Sequence, residues 1–171
     1  LMQANSILLG GIPMIFYGDE FGYTNDYSYL EDPGKSYDNR WMHRPKIDWK
    51  KNAQVKATGT VEHRIFKGLQ TLLKIRKNHA VFNDSNNVLW LESHNRSIAG
   101  FKRVLNEKQV FCLFNYSPEP QNLSLYAFHS IKNEVKKLYN LYDESYTVIG
   151  KNHEFLSFKP YQFYIFLAEK K

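Results

Sequence analysis

The sequence predicts an α/β segment followed by an all-β antiparallel sandwich. Leu1–Leu9 has the apolar pattern of a helix end, and Gly10-Gly11 stops it. Ile12–Tyr17 is a short apolar run bounded by glycines, which is typical of a parallel-sheet strand covered on both faces. After Asn83-Asp84 the spacing of apolar residues changes from a period of 3.6 to a period of 2. A helix, a glycine turn and a doubly buried strand form the αβ half of a βαβ unit.

The segment Gly18–Thr60 differs from its neighbours because it is rich in Asp, Asn, Tyr and Trp and contains several Pro and Gly. A loop of this length is unusual and tends to carry function. It follows the C-terminal end of a parallel-type strand, where barrel and doubly wound folds build their sites. Thr60 then caps a predicted helix over Val61–Asn78.

Eight short candidate strands follow the change in period. They are separated by turn sequences such as SHNRS, NEK and SPEPQ, a spacing that indicates an antiparallel sandwich. We therefore predict two domains, 1–82 and 83–171. The predicted strands are Val88–Glu92, Ile98–Val104, Gln109–Asn115, Leu123–Phe128, Lys137–Leu141, Thr147–Ile149, Phe155–Phe158 and Phe163–Leu167.

Composition narrows the classes of function. The formal charge is +6, from 23 Lys and Arg against 17 Asp and Glu. These cations are spread along the chain, whereas nucleic-acid binders usually concentrate them. The single cysteine, Cys112, lies between Phe111 and Leu113 and is expected in the core of a protein from a reducing compartment. With no signal peptide and no membrane span in the sequence, we expect a cytoplasmic protein. The scattered histidines predict no metal site, and we expect no cofactor.

The predicted strand Ile12–Tyr17 requires neighbouring strands, and residues 1–80 contain no other predicted strand. Burying one large apolar side chain contributes roughly 1.5–3 kcal/mol, so Ile12, Met14, Ile15 and Phe16 together represent on the order of 6–12 kcal/mol. This equals the net stability of a typical domain, about 5–15 kcal/mol. We therefore expect that the strand belongs to a larger sheet whose other strands precede residue 1.

The stretch GGIPMIFYGDEFG, with Gly11, Pro13, Tyr17, Gly18 and Glu20, resembles a strand segment of the α-amylase superfamily, glycoside hydrolase family 13. The resemblance implies that this is the eighth strand of a (β/α)8 barrel that is followed by a C-terminal antiparallel sandwich. Residues 25–49 narrow the resemblance to one group within the superfamily. Their sequence, NDYSYLEDPGKSYDNRWMHRPKIDW, is similar to the eighth loop of amylosucrases and sucrose hydrolases. The fold expected from the resemblance is thus the last strand, loop and helix of the barrel, then the sandwich.

The resemblance also implies where the chemistry lies. Retaining glycosidases use one carboxylate as nucleophile and one carboxylic acid as acid/base. In the family these belong to the fourth and fifth strands, and a further Asp belongs to the seventh, all of which would precede residue 1. We expect the 171-residue chain alone to be catalytically incomplete. Two reactions stay open, the transfer of a glucosyl group to a glucan and hydrolysis. The expected substrate is sucrose or an α-glucan. The expected partner is the missing N-terminal portion of the barrel.

Arg40 is the predicted substrate-binding residue. In amylosucrases the matching Arg pairs with an Asp of an early loop and closes the glucosyl pocket, which suits a guanidinium fork. The alternative is a surface Arg that stabilises its own loop. Asp19 and Glu20 could act as an acid/base pair, but adjacent residues of an extended chain point to opposite faces. We therefore assign structural support of the loop and strand end to Tyr17, Gly18, Asp19, Glu20, Trp41, His43 and Arg44.

Two other classes of function remain open. A stand-alone carbohydrate-binding module would use aromatic side chains of the sandwich to stack on sugars. The aromatic candidates are Trp90, Tyr116, Tyr126, Tyr139 and Tyr142. A nucleic-acid binder, based on the charge of +6, would show salt-sensitive retention on DNA and is the weaker alternative.

Overall fold

The computed structural model describes residues 1–84, 86–125, 135–149 and 154–170. Its helices are α1 (Met2–Leu9), α2 (Trp49–Ala53) and α3 (Val61–Asn78), with short 3-10 helices at Asp19–Phe21, Ser28–Glu31, Asn39–His43, Gln54–Lys56 and Ala80–Phe82. Its strands are β1 (Val88–Trp90), β2 (Ile98–Leu105), β3 (Lys108–Asn115), β4 (Gln121–Ser124), β5 (Val135–Asn140), β6 (Tyr146–Val148), β7 (Phe155–Phe158) and β8 (Phe163–Lys170).

The eight predicted strands are all present, with shifts of a few residues at their ends. The fourth was expected to reach Phe128, but residues 126–134 lie outside the described ranges. Helix α3 spans the predicted Val61–Asn78, and the Thr60 hydroxyl accepts a hydrogen bond of 3.2 Å from the His63 amide, as a capping residue should.

The strands form two antiparallel sheets. The larger has the order β1-β2-β3-β8-β5-β6, and the smaller pairs β4 with β7. Apolar side chains of both sheets join in one buried core, so the antiparallel sandwich is confirmed. The core consists of Ile98, Phe111, Leu113, Leu123, Leu125, Leu138, Ile149, Leu156, Phe158 and Phe166.

The opposite face of the larger sheet carries a buried arginine. Arg103 of β2 is 0% exposed. Its Nη1 donates to the carbonyl oxygens of Leu8 at 3.0 Å and Leu9 at 2.6 Å, and its Nε donates to that of Val81 at 3.1 Å. Backbone carbonyls at the end of α1 have no hydrogen-bond donors within the helix, and the Arg103 guanidinium supplies donors for two of them. The first helix is therefore fastened to the sheet.

The chain divides into two compact units. One combines Leu1–Pro13 with Thr71–Lys171, and the other is Met14–Gln70. Within the second unit the Tyr23 hydroxyl donates to Asn52 Oδ1 at 2.9 Å and accepts from the Asp48 amide at 2.6 Å. The rings of Phe21 and Phe66 stack with centroids 6.0 Å apart. The boundary predicted between residues 82 and 83 stays a prediction.

The predicted strand over Ile12–Tyr17 is not formed in this chain, and its place in a larger sheet stays a prediction. These residues form no strand, and the side chains of Ile12 and Met14 are 89% and 86% exposed. A β-strand exists through hydrogen bonds to a neighbouring strand, and none of the described strands pairs with this segment. The apolar pattern is that of a strand, but no described strand lies beside it to form the hydrogen bonds.

Among the described residues, no helix combines the length and the apolar character needed to cross a membrane.

Candidate functional site

The chain makes a tight corner where the apolar run meets the two carboxylates. Gly18 has φ of 94°, in the left-handed region that favours glycine. The Asp19 amide donates to the Phe16 carbonyl at 3.1 Å, and Glu20 Oε2 accepts from the Gly18 amide at 2.9 Å. The Glu20 carboxylate therefore folds back onto the corner.

A cavity of about 320 Å³ opens beside this corner. It mixes rings with polar groups, which is the make-up of a pocket for a polar organic ligand. Within it His43 Nδ1 lies 3.2 Å from Asn25 Oδ1, and the rings of Phe16 and Tyr17 lie 4.6 Å apart. The lining residues are Phe16, Tyr17, Asp19, Tyr23, Thr24, Asn25, His43 and Pro45.

Arg40 forms a two-pronged pair with Asp38 of its own loop. Nε donates to Asp38 Oδ1 at 2.8 Å, and Nη2 donates to Oδ2 at 2.8 Å. The Arg40 side chain is nevertheless 73% exposed, against 15% for Asp38. The hydrogen bonds from the guanidinium and from the Arg40 amide lower the pKa of the Asp38 carboxyl. The predicted pairing of Arg40 with an upstream Asp stays a prediction.

Trp41 and Arg44 lie together at a second, smaller cavity of about 200 Å³. The Arg44 guanidinium lies 5.4 Å from the centre of the Trp41 ring, and Lys35 Nζ lies 5.3 Å from it. Such cation–π contacts hold side chains in place at a surface. Lys35 also pairs with Asp32 at 2.8 Å, so this part of the loop is tied by charges of both signs.

The structure brings some of the predicted residues together and separates others. Tyr17, Asp19 and His43 line the larger cavity. Trp41 and Arg44 line the smaller one, and Arg40 lies at neither. Tyr23 was missed: the sequence places it directly after Gly22, but only the fold shows that its hydroxyl reaches Asp48 and Asn52.

The sequence is similar to a family model and to a curated protein. The sequence model of the maltogenic amylase C-terminal domain matches residues 89–165. A curated relative, the glucosylglycerate phosphorylase of Escherichia coli (strain K12), is 28% identical over 130 residues, which are 74% of this chain and 22% of that protein. These matches support the resemblance to the α-amylase family and place the similarity in the C-terminal portion of such proteins.

Solved structures agree on the fold. An Anoxybacillus α-amylase has a TM-score of 0.66 at 15% identity, covering 98% of this chain and 31% of that one. A trehalulose synthase mutant has a TM-score of 0.64 at 13% identity, covering 98% of this chain and 38% of that one. The chain thus spans between 31% and 38% of the length of these two proteins.

Proposed function

We propose that this chain is the C-terminal part of a retaining α-glucoside-active enzyme that uses sucrose, and that it supplies the loop that closes the glucosyl pocket. The proposal depends on residues 25–49, whose sequence is similar to amylosucrases and of which Asn25, His43 and Pro45 line the larger cavity. The other support is the match of residues 89–165 to an amylase C-terminal domain.

Arg40 is the residue of this loop that we assign to the sugar pocket. A guanidinium has five N–H donors, and among the described residues only Asp38 accepts from that of Arg40. Donors therefore remain for a second carboxylate, as the predicted pair with an early loop requires. Asp38 would then hold the guanidinium in position, since its pair removes much of the rotamer freedom of a long side chain.

The chemical step needs groups from elsewhere. Retaining hydrolysis requires two carboxyl groups about 5–5.5 Å apart. We assign neither role to Asp19 or Glu20, because the family that the sequence resembles takes both groups from earlier strands, and Glu20 Oε2 accepts a hydrogen bond from the Gly18 amide. The nucleophile and the acid/base would come from a sequence that precedes residue 1.

The first experiment compares the 171-residue chain with the product of any in-frame sequence upstream of residue 1. Both are incubated with sucrose, and release of glucose and fructose is followed. We expect release only from the longer protein. Steady release by the short chain would contradict the proposal, as would a longer protein that leaves sucrose intact. Chain growth on an added glucan acceptor would identify a transferase, and equal yields of glucose and fructose would identify a hydrolase.

The second experiment tests Arg40 in the longer protein. Arg40→Lys keeps the charge but loses the fork, and loss of a charge-assisted hydrogen bond is worth about 1.5–3 kcal/mol. We expect kcat/KM for sucrose to fall roughly 10- to 100-fold. Arg96→Lys, at an exposed arginine of the sandwich, is the matched control. An Arg40→Lys protein with unchanged kinetics would remove Arg40 from the pocket.

A further inference from the structure

Two tyrosines form an exposed aromatic shelf at the β5–β6 edge of the larger sheet. Tyr139 of β5 lies directly opposite Tyr146 of β6. Their ring centroids are 4.7 Å apart at an interplanar angle of 39°. The Tyr146 side chain is 57% exposed, whereas the neighbouring Leu138 points into the core and is 1% exposed. The shelf therefore lies on the face of the sheet that looks away from the sandwich core.

The same face continues from the shelf into a cavity. Across the sheet Tyr139 is paired with Leu167, and Leu167 is paired with Val110. Directly paired residues of antiparallel strands share a face. Leu167 and Val110 both line a cavity of about 310 Å³, which His79 and Lys108 also border. Shelf and cavity thus form one surface, with an apolar floor and polar groups at the rim.

Charged groups of both signs surround the shelf. Lys137 Nζ lies 5.6 Å from the centre of the Tyr146 ring. Partial burial raises the pKa of the Tyr139 phenol, and the nearby carboxylates of Glu144 and Asp143 raise it further. These carboxylates therefore contribute negative charge near the Tyr139 phenol. They also disfavour a phosphate backbone at this place, despite the net charge of +6.

The ligand that suits such a surface has an apolar face and many hydroxyls. A pyranose ring offers axial C–H groups to the electron-rich face of a tyrosine, and its hydroxyls reach carboxylates and amines at the edge. We propose that the shelf and the adjoining cavity bind a chain of neutral sugars, with one ring on Tyr146 and the next toward Leu167. This is a site of the sandwich and is independent of the function proposed for the loop.

The other aromatic candidates that the structure describes contact phenylalanines and not a second tyrosine. Trp90 is 69% exposed, but it lies on β1 at the opposite edge of the sheet and packs edge-on against Phe101 with centroids 5.9 Å apart. Tyr116 and Tyr142 pack on Phe114 and Phe163. Tyr126 lies outside the described residues.

The test is a titration of the 171-residue chain with maltoheptaose, a linear chain of glucose units, followed by calorimetry and by amide chemical shifts. We expect binding, with shifts concentrated at Tyr139, Tyr146 and Leu167. Tyr146→Ala should weaken the affinity by about tenfold, the usual scale for loss of one aromatic contact, and Tyr146→Phe should retain it. Phe155→Ala removes a ring of similar exposure, 53%, from β7 and should leave the affinity unchanged.

Several outcomes would overturn the proposal. One is no binding of maltoheptaose, and another is an equal loss in Tyr146→Ala and Phe155→Ala. Binding that survives Tyr146→Ala but is lost in Arg40→Ala would place the sugar on the loop instead. Tighter binding of a DNA oligonucleotide than of maltoheptaose would assign the surface to another class of ligand. Inactivity of the longer protein on sucrose would not affect this result, so the two proposals fail separately.

Discussion

The Arg103 guanidinium donates a 3.0 Å hydrogen bond to the carbonyl oxygen of Leu8, although 95 positions separate the two residues in the sequence. The same side chain reaches the carbonyls of Leu9, Val81 and Asp84, so one buried cation satisfies oxygens from two separate segments of the chain. Arg76 likewise donates to the carbonyls of Ile7 and Gly11. Burial lowers the pKa of the Arg103 guanidinium, which is stabilised here by carbonyl dipoles.

Arg103→Met should be strongly destabilising. Methionine fills much of the space but leaves buried carbonyls without donors, and each such group costs about 1–3 kcal/mol. We expect the free energy of unfolding in urea to fall by about 3–5 kcal/mol. Arg96→Met replaces an exposed arginine of the same unit and should stay within about 0.5 kcal/mol of the parent. Similar losses in both variants would show that the carbonyl contacts contribute little.

Crowding at the corner beside the larger cavity can be tested at Gly18, with Gly59 as the matched control. Their φ angles are 94° and 95°, so both lie in the left-handed region where alanine is strained. A Cβ at Gly18 would lie 3.1 Å from Tyr23 Cβ, whereas at Gly59 nothing lies within 4 Å. We expect Gly59→Ala to cost about 1 kcal/mol from backbone strain alone. Gly18→Ala should cost at least about 1 kcal/mol more from crowding, measured by urea unfolding. Equal costs would mean that Tyr23 moves aside freely.

Tyr23→Phe tests the hydrogen bonds that tie the loop to α2. The variant keeps the ring but removes the hydroxyl that binds Asn52 and the Asp48 amide. We expect a loss of about 1–2 kcal/mol and faster amide exchange at Asp48. Tyr37→Phe, at a tyrosine that is 83% exposed, should change neither quantity. Unaltered exchange at Asp48 in Tyr23→Phe would contradict this account.

The Arg40–Asp38 pair predicts a dependence on pH. Because hydrogen bonds from Arg40 lower the pKa of Asp38 in the folded chain, the pair stabilises the loop above the unfolded pKa of about 3.9 and is lost as the pH falls through the lowered folded value. Carboxyl carbon shifts followed by NMR during acid titration report this pKa directly. In Arg40→Ala the pKa of Asp38 should rise toward its ordinary value.

Asp32 supplies an internal control in the same titration. Its pKa is lowered by Lys35 and by the Gly34 amide, and Arg40 does not contribute. The Arg40→Ala change should therefore leave the pKa of Asp32 where it is. A parallel rise in both residues would indicate that the whole loop has lost its order.

Local patterns were sufficient to predict most elements. The alternation of apolar residues predicted the strands, and Thr60 as a capping residue predicted the start of the helix over Val61–Asn78. Ile12–Tyr17 was predicted as a strand because its residues favour one, but pairing is a property of neighbours that a local pattern does not contain. The role of Arg40 in a pocket stays a prediction, and what the structure adds is its pair with Asp38.

Contacts between distant residues were beyond the reach of sequence reasoning. Arg103 falls within the predicted strand Ile98–Val104, and nothing near it in the sequence indicates a contact with the carbonyls of Leu8 and Leu9. Tyr139 was among the candidate aromatics, but its stacking with Tyr146 depends on the register of β5 and β6. Register is set by the fold as a whole, because a slip by one residue turns every side chain to the other face.

Arg103 and Arg76 attach α1 to residues that lie far from it in the sequence. The chain leaves the sandwich unit after Pro13 and returns to it at Thr71. A protease that cut the backbone between those points would not release the first helix, because its hold on the sheet is noncovalent and independent of the covalent route. Nicked protein would therefore migrate as two bands under denaturing conditions while it eluted as one particle in native buffer.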